Sequence, residues 1–192
     1  KLSTWVEPQH DLMFLPNNPK QFIYQTDAEG FNQMFVYNTE GKLIKKLGYK
    51  DVIVQKTLGF SANGKSISYI GITNNGLDRQ LFSVDIASGK TTQLTSVSGY
   101  HNASLSSDGS YILDQYSNTT TPNKIQTIAV KSKKANVLVE AKNPLQGVID
   151  MPKMELVKIT SADGKTPLNG RIIYPADYDA NKKYPVMIYV YG

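Results

Sequence analysis

Three segments of the sequence repeat one pattern at an interval of 45 to 46 residues, and this period constrains the fold more than any other feature. Each segment opens on an apolar residue, passes through a polar turn and continues as a run rich in β-branched and aromatic residues. The opening residues are Phe14, Phe60 and Leu105. The pairs Asn63-Gly64 and Asp108-Gly109 follow two of them and tolerate the positive φ of tight turns. The pattern predicts a series of similar antiparallel units.

A second landmark keeps the same interval, because apolar runs begin at Met34, Leu81 and Ile125. Each unit then closes on a short strand, at 43–47, 91–94 and 135–139. Four short strands in a period of about 40 to 45 residues are typical of propeller blades. A β-sandwich, which also places strands every ~8 to 12 residues, is the alternative.

We therefore predict a mainly β protein with little helix: a partial β-propeller of about three four-stranded blades within residues 1–140. Residues 1–13, with Trp5 and Val6, are expected to belong to an earlier blade. Three blades do not close a ring, because propellers have about four to eight. The sequence therefore indicates a piece of a larger protein.

Composition excludes several classes of function. The chain has no Cys, which excludes disulfide scaffolds, cysteine-based metal sites and thiol catalysis. Its acidic residues are dispersed and it has no glycine-rich phosphate loop, so we expect no metal and no cofactor. No apolar stretch approaches the ~20 residues of a membrane span. The net charge of +5 arises from lysines scattered over turns, with only two arginines, which indicates solvated lysines and no nucleic-acid partner.

The pattern changes after the third unit. Residues 141–155 contain two prolines and no clean alternation, which indicates a connector. Residues 156–174 predict a hairpin with Asp163-Gly164 at its tip and Pro175 after it. The apolar run at 184–191 predicts a strand buried on both faces, which needs neighbouring strands and covering helices. We expect residues 156–192 to be the first strands of a truncated α/β domain, with the tail at 182–192 either displaced or paired with another chain.

Residues 161–175 and 182–192 resemble the start of the catalytic domain in the prolyl oligopeptidase family of serine peptidases, and most closely the dipeptidyl peptidase IV branch in a bacterial form. Members of that family carry a β-propeller followed by an α/β-hydrolase domain. The resemblance implies a parent that cleaves dipeptides with penultimate Pro or Ala from peptide N-termini. It also implies a homodimer in the periplasm, the cell envelope or the secreted fraction of a bacterium.

The resemblance assigns one catalytic residue to this chain, Tyr191, as a hydroxyl donor to the oxyanion hole. A phenol aimed at the developing negative charge lowers the barrier by a few kcal/mol. Residue type alone favours simple packing at a strand end, as for Tyr189. The family's Ser-Asp-His triad would follow residue 192, and its pair of substrate-binding glutamates would precede residue 1.

The remaining candidates favour structural roles. Gly59-Phe60-Ser61 lacks the final glycine of a nucleophile elbow and is expected to be a turn. His10 and His101 lie in no nucleophile–base pattern and are expected at the surface or at strand ends. We therefore expect this chain alone to be inactive. The alternatives are a non-enzymatic propeller that binds or scaffolds a partner, or a hydrolase-like receptor without its triad.

Overall fold

A computed structural model describes residues 12–190 of the chain. Within that range the chain forms fourteen β-strands and no α-helix, with one 3-10 turn at Asn74–Gly76, so the prediction of a mainly β protein with little helix is confirmed. Residue contacts divide the chain into two compact units, with the boundary between Ala141 and Lys142.

The first unit begins with a four-stranded antiparallel sheet in sequential order, here called the first meander. Phe14 lies in its first strand, and Met34 lies near the start of its third. The strands are β1 (Met13–Leu15), β2 (Asn18–Thr26), β3 (Gln33–Asn38) and β4 (Leu43–Leu47).

The second meander repeats this arrangement, with Phe60 at the end of its first strand. Its fourth strand is cut short: the Leu94 N–H donates to the Leu81 carbonyl, and the Leu81 N–H then donates to Thr95 Oγ1 instead of to a ladder carbonyl. The chain leaves the sheet there. The strands are β5 (Ile53–Phe60), β6 (Ser66–Thr73), β7 (Asp78–Asp85) and β8 (Thr91–Gln93).

The third meander ends its first strand on Leu105 and is linked to the second by one parallel bridge between Arg79 and Tyr100. That bridge joins the two meanders into one 8-stranded sheet. The strands are β9 (Tyr100–Leu105), β10 (Tyr111–Ser117), β11 (Lys124–Ala129) and β12 (Ala135–Glu140).

The meanders pack through their faces. One apolar core joins side chains of the first and second meanders, including Met34, Tyr69 and Phe82. A separate core joins the second and third, including Leu81 and Ile112. Because the second meander lies between two others, β6 is buried on both faces, whereas β10 alternates between buried and exposed residues.

One hydrogen bond recurs between meanders. Gln33 Nε2 donates to the Val52 carbonyl at 2.9 Å, and Gln80 Nε2 donates to the Val97 carbonyl at 2.9 Å. Each glutamine stands at the start of a third strand and holds the chain that enters the next meander. The repeat is thus structural as well as sequential, which gives the unit a propeller-like fold.

The second unit contains one antiparallel hairpin and no α-helix within the residues described. Both of its faces are largely solvent-exposed, as shown by Leu156 and Ile159 at 52% and 54% exposure. The hairpin agrees with the sequence prediction and turns through Asp163 and Gly164. Its strands are β13 (Met154–Thr160) and β14 (Pro167–Ile173).

Candidate functional site

Tyr191, the catalytic residue that the resemblance assigns, lies outside the described residues, and so does His10. The structure does describe the segment that leads to Tyr191. Residues 183–190 form no ladder with any described strand, and Met187 and Tyr189 are 95% and 86% exposed. The predicted strand at 184–191 is therefore wrong over its described part, because a strand requires partners for its N–H and C=O groups and this segment has none.

A cluster of three tyrosines fixes the start of this tail within the second unit. The ring centroids of Tyr174 and Tyr178 lie 4.5 Å apart, and those of Tyr178 and Tyr184 lie 5.6 Å apart. Tyr184 Oη also accepts a hydrogen bond from the Asp179 N–H at 2.9 Å. The loop at 174–181 and the start of the tail, at Tyr184, therefore form a local structure.

The same cluster is tied to the hairpin through a carboxylate. Glu155 Oε2 accepts from Tyr174 Oη at 2.8 Å, and Glu155 Oε1 pairs with Lys153 Nζ at 2.5 Å. The hydrogen bond from Lys153, followed by that from Tyr174, lowers the pKa of Glu155. The bond to Glu155 in turn raises the pKa of Tyr174. These contacts position the tail but contain no nucleophile.

The first unit contains a buried histidine–aspartate pair. His101 Nδ1 lies 2.9 Å from Asp114 Oδ2, and the two side chains are 2% and 0% exposed. His101 Nε2 lies 3.2 Å from the Val97 carbonyl, which can only accept, so Nε2 carries a proton. Gln126 Nε2 also donates to Asp114 Oδ2 at 2.8 Å.

This pair resembles the orienting half of a catalytic triad, but its geometry excludes that role. The nitrogen that would activate a nucleophile is bound to a backbone carbonyl, and the ring is stacked on Tyr116 with centroids 4.6 Å apart. Solvent and substrate do not reach it. The sequence predicts His101 at the surface or at a strand end; it lies near a strand end, as the second residue of β9, but it is buried and does not lie at the surface.

A signal for this pair was present in the sequence. The alternation of β9 and β10 places His101 with Ala103, and Asp114 with Ile112, on the buried faces of adjacent strands. Two complementary polar residues at core positions of paired strands predict a mutual hydrogen bond.

Ser61 is a turn residue, as expected. Its Oγ donates to Asn63 Oδ1 at 2.9 Å and accepts from the Ser66 N–H at 3.0 Å. Ser106 and Ser161 make the same pair of contacts in the corresponding turns, where each hydroxyl bond lowers the pKa of the neighbouring aspartate, Asp108 or Asp163. No histidine is hydrogen-bonded to any of these hydroxyls within residues 12–190.

Two features are absent from residues 12–190. No group of three His, Asp or Glu side chains stands close enough together to hold a metal ion. No helix there is long and apolar enough to cross a bilayer.

Comparison with known proteins supplies what the local geometry does not. Residues 2–123 match the family described as the dipeptidyl peptidase IV N-terminal region. The chain is 24% identical to a protein named probable dipeptidyl-aminopeptidase B from Arthroderma gypseum over 98% of its own length. It is also 24% identical, over 98% of its length, to dipeptidyl peptidase 4 of Trichophyton rubrum.

Two solved structures share the fold. A protein described as a dipeptidyl aminopeptidase IV from Bacteroides ovatus is 30% identical, with a TM-score of 0.87 over 96% of this chain and 29% of that one. Dipeptidyl peptidase 4 of Porphyromonas gingivalis is 24% identical, with a TM-score of 0.77 over 91% of this chain and 24% of that one.

These relatives are much longer than the chain. It spans 22% of the Arthroderma protein and 25% of the Trichophyton protein. The family match nevertheless covers more than half of the 192 residues and includes the first two meanders and the first two strands of the third. The chain therefore belongs to the dipeptidyl peptidase IV family, through that family's N-terminal region.

Proposed function

We propose that the chain is part of a serine peptidase that releases dipeptides with penultimate Pro or Ala from peptide N-termini. Residues 1–140 supply the last blades of its β-propeller, with each described meander forming one blade. Residues 141–155 connect to an α/β-hydrolase domain, and residues 156–192 supply the first strands of that domain. The observation that carries the proposal is the match to the dipeptidyl peptidase IV N-terminal region over residues 2–123.

Within that peptidase, Tyr191 donates its hydroxyl to the oxyanion of the tetrahedral intermediate. The exposed tail supports this role indirectly, because five consecutive residues, Val186 to Val190, are 81% to 95% exposed here and are apolar. If these residues were buried against neighbouring parallel strands, each of the larger side chains would contribute about 1.5–3 kcal/mol to the stability of the fold. Such a strand would then hold Tyr191 rigidly at its end.

The assembly and location of the peptidase are further parts of the proposal. By family likeness it acts as a homodimer in the periplasm, the cell envelope or the secreted fraction of a bacterium. Its substrates are peptides, and it needs no cofactor, because the polarising groups of an acyl-transfer reaction are hydroxyl and backbone donors.

The test uses the protein encoded by the complete reading frame, assayed with Gly-Pro-p-nitroanilide. Tyr191→Phe removes one oxyanion donor and is expected to lower kcat by about 10²–10³-fold with little change in KM. Tyr189→Phe is the matched control, since it makes the same chemical change two residues away, and it is expected to retain activity. Equal losses in the two variants would assign Tyr191 to packing.

The same assay addresses the non-enzymatic alternative. If the complete protein turns over no dipeptidyl substrate at concentrations where it is folded, the scaffold interpretation is preferred. The 192-residue chain alone is expected to show no turnover above the blank rate, because no described hydroxyl is hydrogen-bonded to a histidine base and His101 is bound to Asp114 and the Val97 carbonyl.

A further inference from the structure

The turns of the second and third meanders meet around a groove of about 600 Å³. Three lysines line it: Lys65 from the turn between β5 and β6, and Lys131 and Lys133 from the turn between β11 and β12. These lysines are up to 68 residues apart in the sequence, and their positions in turns predicted only that they are solvated. The fold instead gathers them at one concavity.

The lysines have no counter-charge in the described chain. None of the three ammonium groups takes part in an ion pair or a hydrogen bond within residues 12–190. One carboxylate, Asp85, also lines the groove. Its Oδ1 is occupied by the N–H and the hydroxyl of Ser88, each at 2.7 Å, and these bonds lower the pKa of Asp85. The groove is therefore lined by three positive groups and one negative group.

The floor of the groove adds neutral donors. Ser83 and Thr92 are opposite each other on β7 and β8, and both are half-buried. Neither hydroxyl makes a hydrogen bond within the part of the chain that the structure describes. Leu94 and Val130 supply apolar wall. The site thus combines free ammonium and hydroxyl donors around a partly apolar concavity.

We propose that this groove binds a phosphate-bearing anion. A concave surface of one charge focuses the electrostatic potential and concentrates counter-ions. Lysine binds phosphate as a compact point charge, whereas arginine adds bidentate recognition of carboxylate or phosphate. Neither arginine lines the groove, and its volume accommodates a diphosphate or a phosphate ester. The site does not depend on the peptidase proposal.

The first experiment titrates the 192-residue chain with inorganic pyrophosphate at constant ionic strength, followed by calorimetry and by the thermal unfolding midpoint. Binding to the folded state raises the midpoint. The variant Lys65→Gln/Lys131→Gln/Lys133→Gln is expected to weaken binding by at least about tenfold. Its matched control is a second triple substitution of exposed lysines without ion pairs: Lys20→Gln, Lys50→Gln and Lys56→Gln.

The control variant distinguishes binding at the groove from nonspecific attraction of the anion to the positively charged chain. Retained affinity in the control supports the groove, and an equal loss in both variants overturns it. Absence of any midpoint shift in the unsubstituted chain, relative to chloride at the same ionic strength, also overturns it. The variant Ser83→Ala/Thr92→Val leaves the charge unchanged and is expected to weaken binding about threefold or more.

A second arm identifies the source of the phosphate. The chain is sedimented with phosphatidylcholine vesicles, with or without phosphatidic acid. Lysine-dependent sedimentation that pyrophosphate abolishes indicates a lipid headgroup, and pyrophosphate binding without sedimentation indicates a soluble ligand. Sedimentation that pyrophosphate does not affect contradicts the groove as the site. All outcomes are independent of peptidase activity.

Discussion

At the scale of single residues, the pair of His101 and Asp114 connects three strands and the segment that enters the third meander. Removing one partner of a buried ionisable pair leaves the other without compensation and costs about 3–5 kcal/mol. We expect His101→Phe, which preserves stacking on Tyr116, to lower the free energy of unfolding in urea by that amount. The double variant His101→Phe/Asp114→Leu is expected to recover much of the loss.

An exposed pair provides the control for this prediction. Lys124 Nζ lies 3.1 Å from Glu140 Oε1, and Glu140 is 57% exposed. Glu140→Gln is expected to cost less than about 1 kcal/mol, because solvent screens such pairs. If His101→Phe costs no more than Glu140→Gln, the buried pair does not stabilise the fold as described.

Tyr69 links stability to alkaline pH. Its side chain is fully buried, its hydroxyl makes no hydrogen bond in the described chain, and burial raises its pKa to about 12. The unfolded pKa is about 10. The folded state therefore holds the Tyr69 proton to a higher pH than the unfolded state does. The contribution of this protonated hydroxyl to the free energy of unfolding is complete below pH ~10 and is lost as the pH rises towards about 12.

We expect the free energy of unfolding to fall by about 2–3 kcal/mol across that interval in the unsubstituted chain. Tyr69→Phe is expected to remove this slope and to leave stability at neutral pH equal or higher, because it deletes an unsatisfied buried hydroxyl. The measurement is urea unfolding at several pH values, with the exposed residue substitution Tyr111→Phe as the control. An unchanged slope in Tyr69→Phe would assign the alkaline loss to other groups.

At the scale of elements, β6 is buried on both faces because the second meander lies between the first and the third. A Cβ added at Gly71 would lie 2.3 Å from Val52 Cγ1 and 2.7 Å from Phe82 Cε2. We expect Gly71→Ala to destabilise the chain by about 1–3 kcal/mol through overpacking. Thermal unfolding monitored by circular dichroism measures this.

The companion variant tests the cause. Val52→Ala removes both γ-methyl groups of Val52, including the Cγ1 that lies nearest to the added Cβ. The effects of Val52→Ala and Gly71→Ala are therefore expected to be less than additive. Full additivity would show that the clash with Val52 does not limit the site.

The sequence predicted elements better than it predicted their surroundings. The period marked Phe60 and Leu105 as the apolar residues before a polar turn and a β-rich run, and the structure has a turn and a second strand after each of them. Turn chemistry and β-rich runs are local signals. The period did not reveal that Lys65 and Lys133 line one groove, since that depends on the packing of two meanders. The strand expected at 184–191 failed for the same reason: its partners are not local, and none lies within the described residues.

At the scale of the whole molecule, the outer face of the third meander carries exposed apolar side chains. Tyr111 and Leu113 on β10 are 54% and 47% exposed, while Ile112 on the opposite face is fully buried against the second meander. By the repeat, this outer face is expected to pack against a further unit in a longer protein.

A substitution on that face distinguishes the two contexts. Leu113→Asn is expected to change the free energy of unfolding of the 192-residue chain by no more than about 0.5 kcal/mol, as at other exposed positions. In the complete protein it is expected to cost about 2 kcal/mol or more through lost burial. Ile112→Asn, on the buried face, is expected to be strongly destabilising in both. Equal small costs for Leu113→Asn would show that no unit covers the face.

The central claim is that these residues belong to a dipeptidyl peptidase of which they form only part. The most direct measurement is the turnover of Gly-Pro-p-nitroanilide by the product of the complete reading frame, beside the 192-residue chain at the same concentration. We predict turnover by the complete product, inhibition of that turnover by a serine-directed organophosphate, and none by the chain alone. Turnover by the 192-residue chain, or none by the folded complete product, would contradict the account.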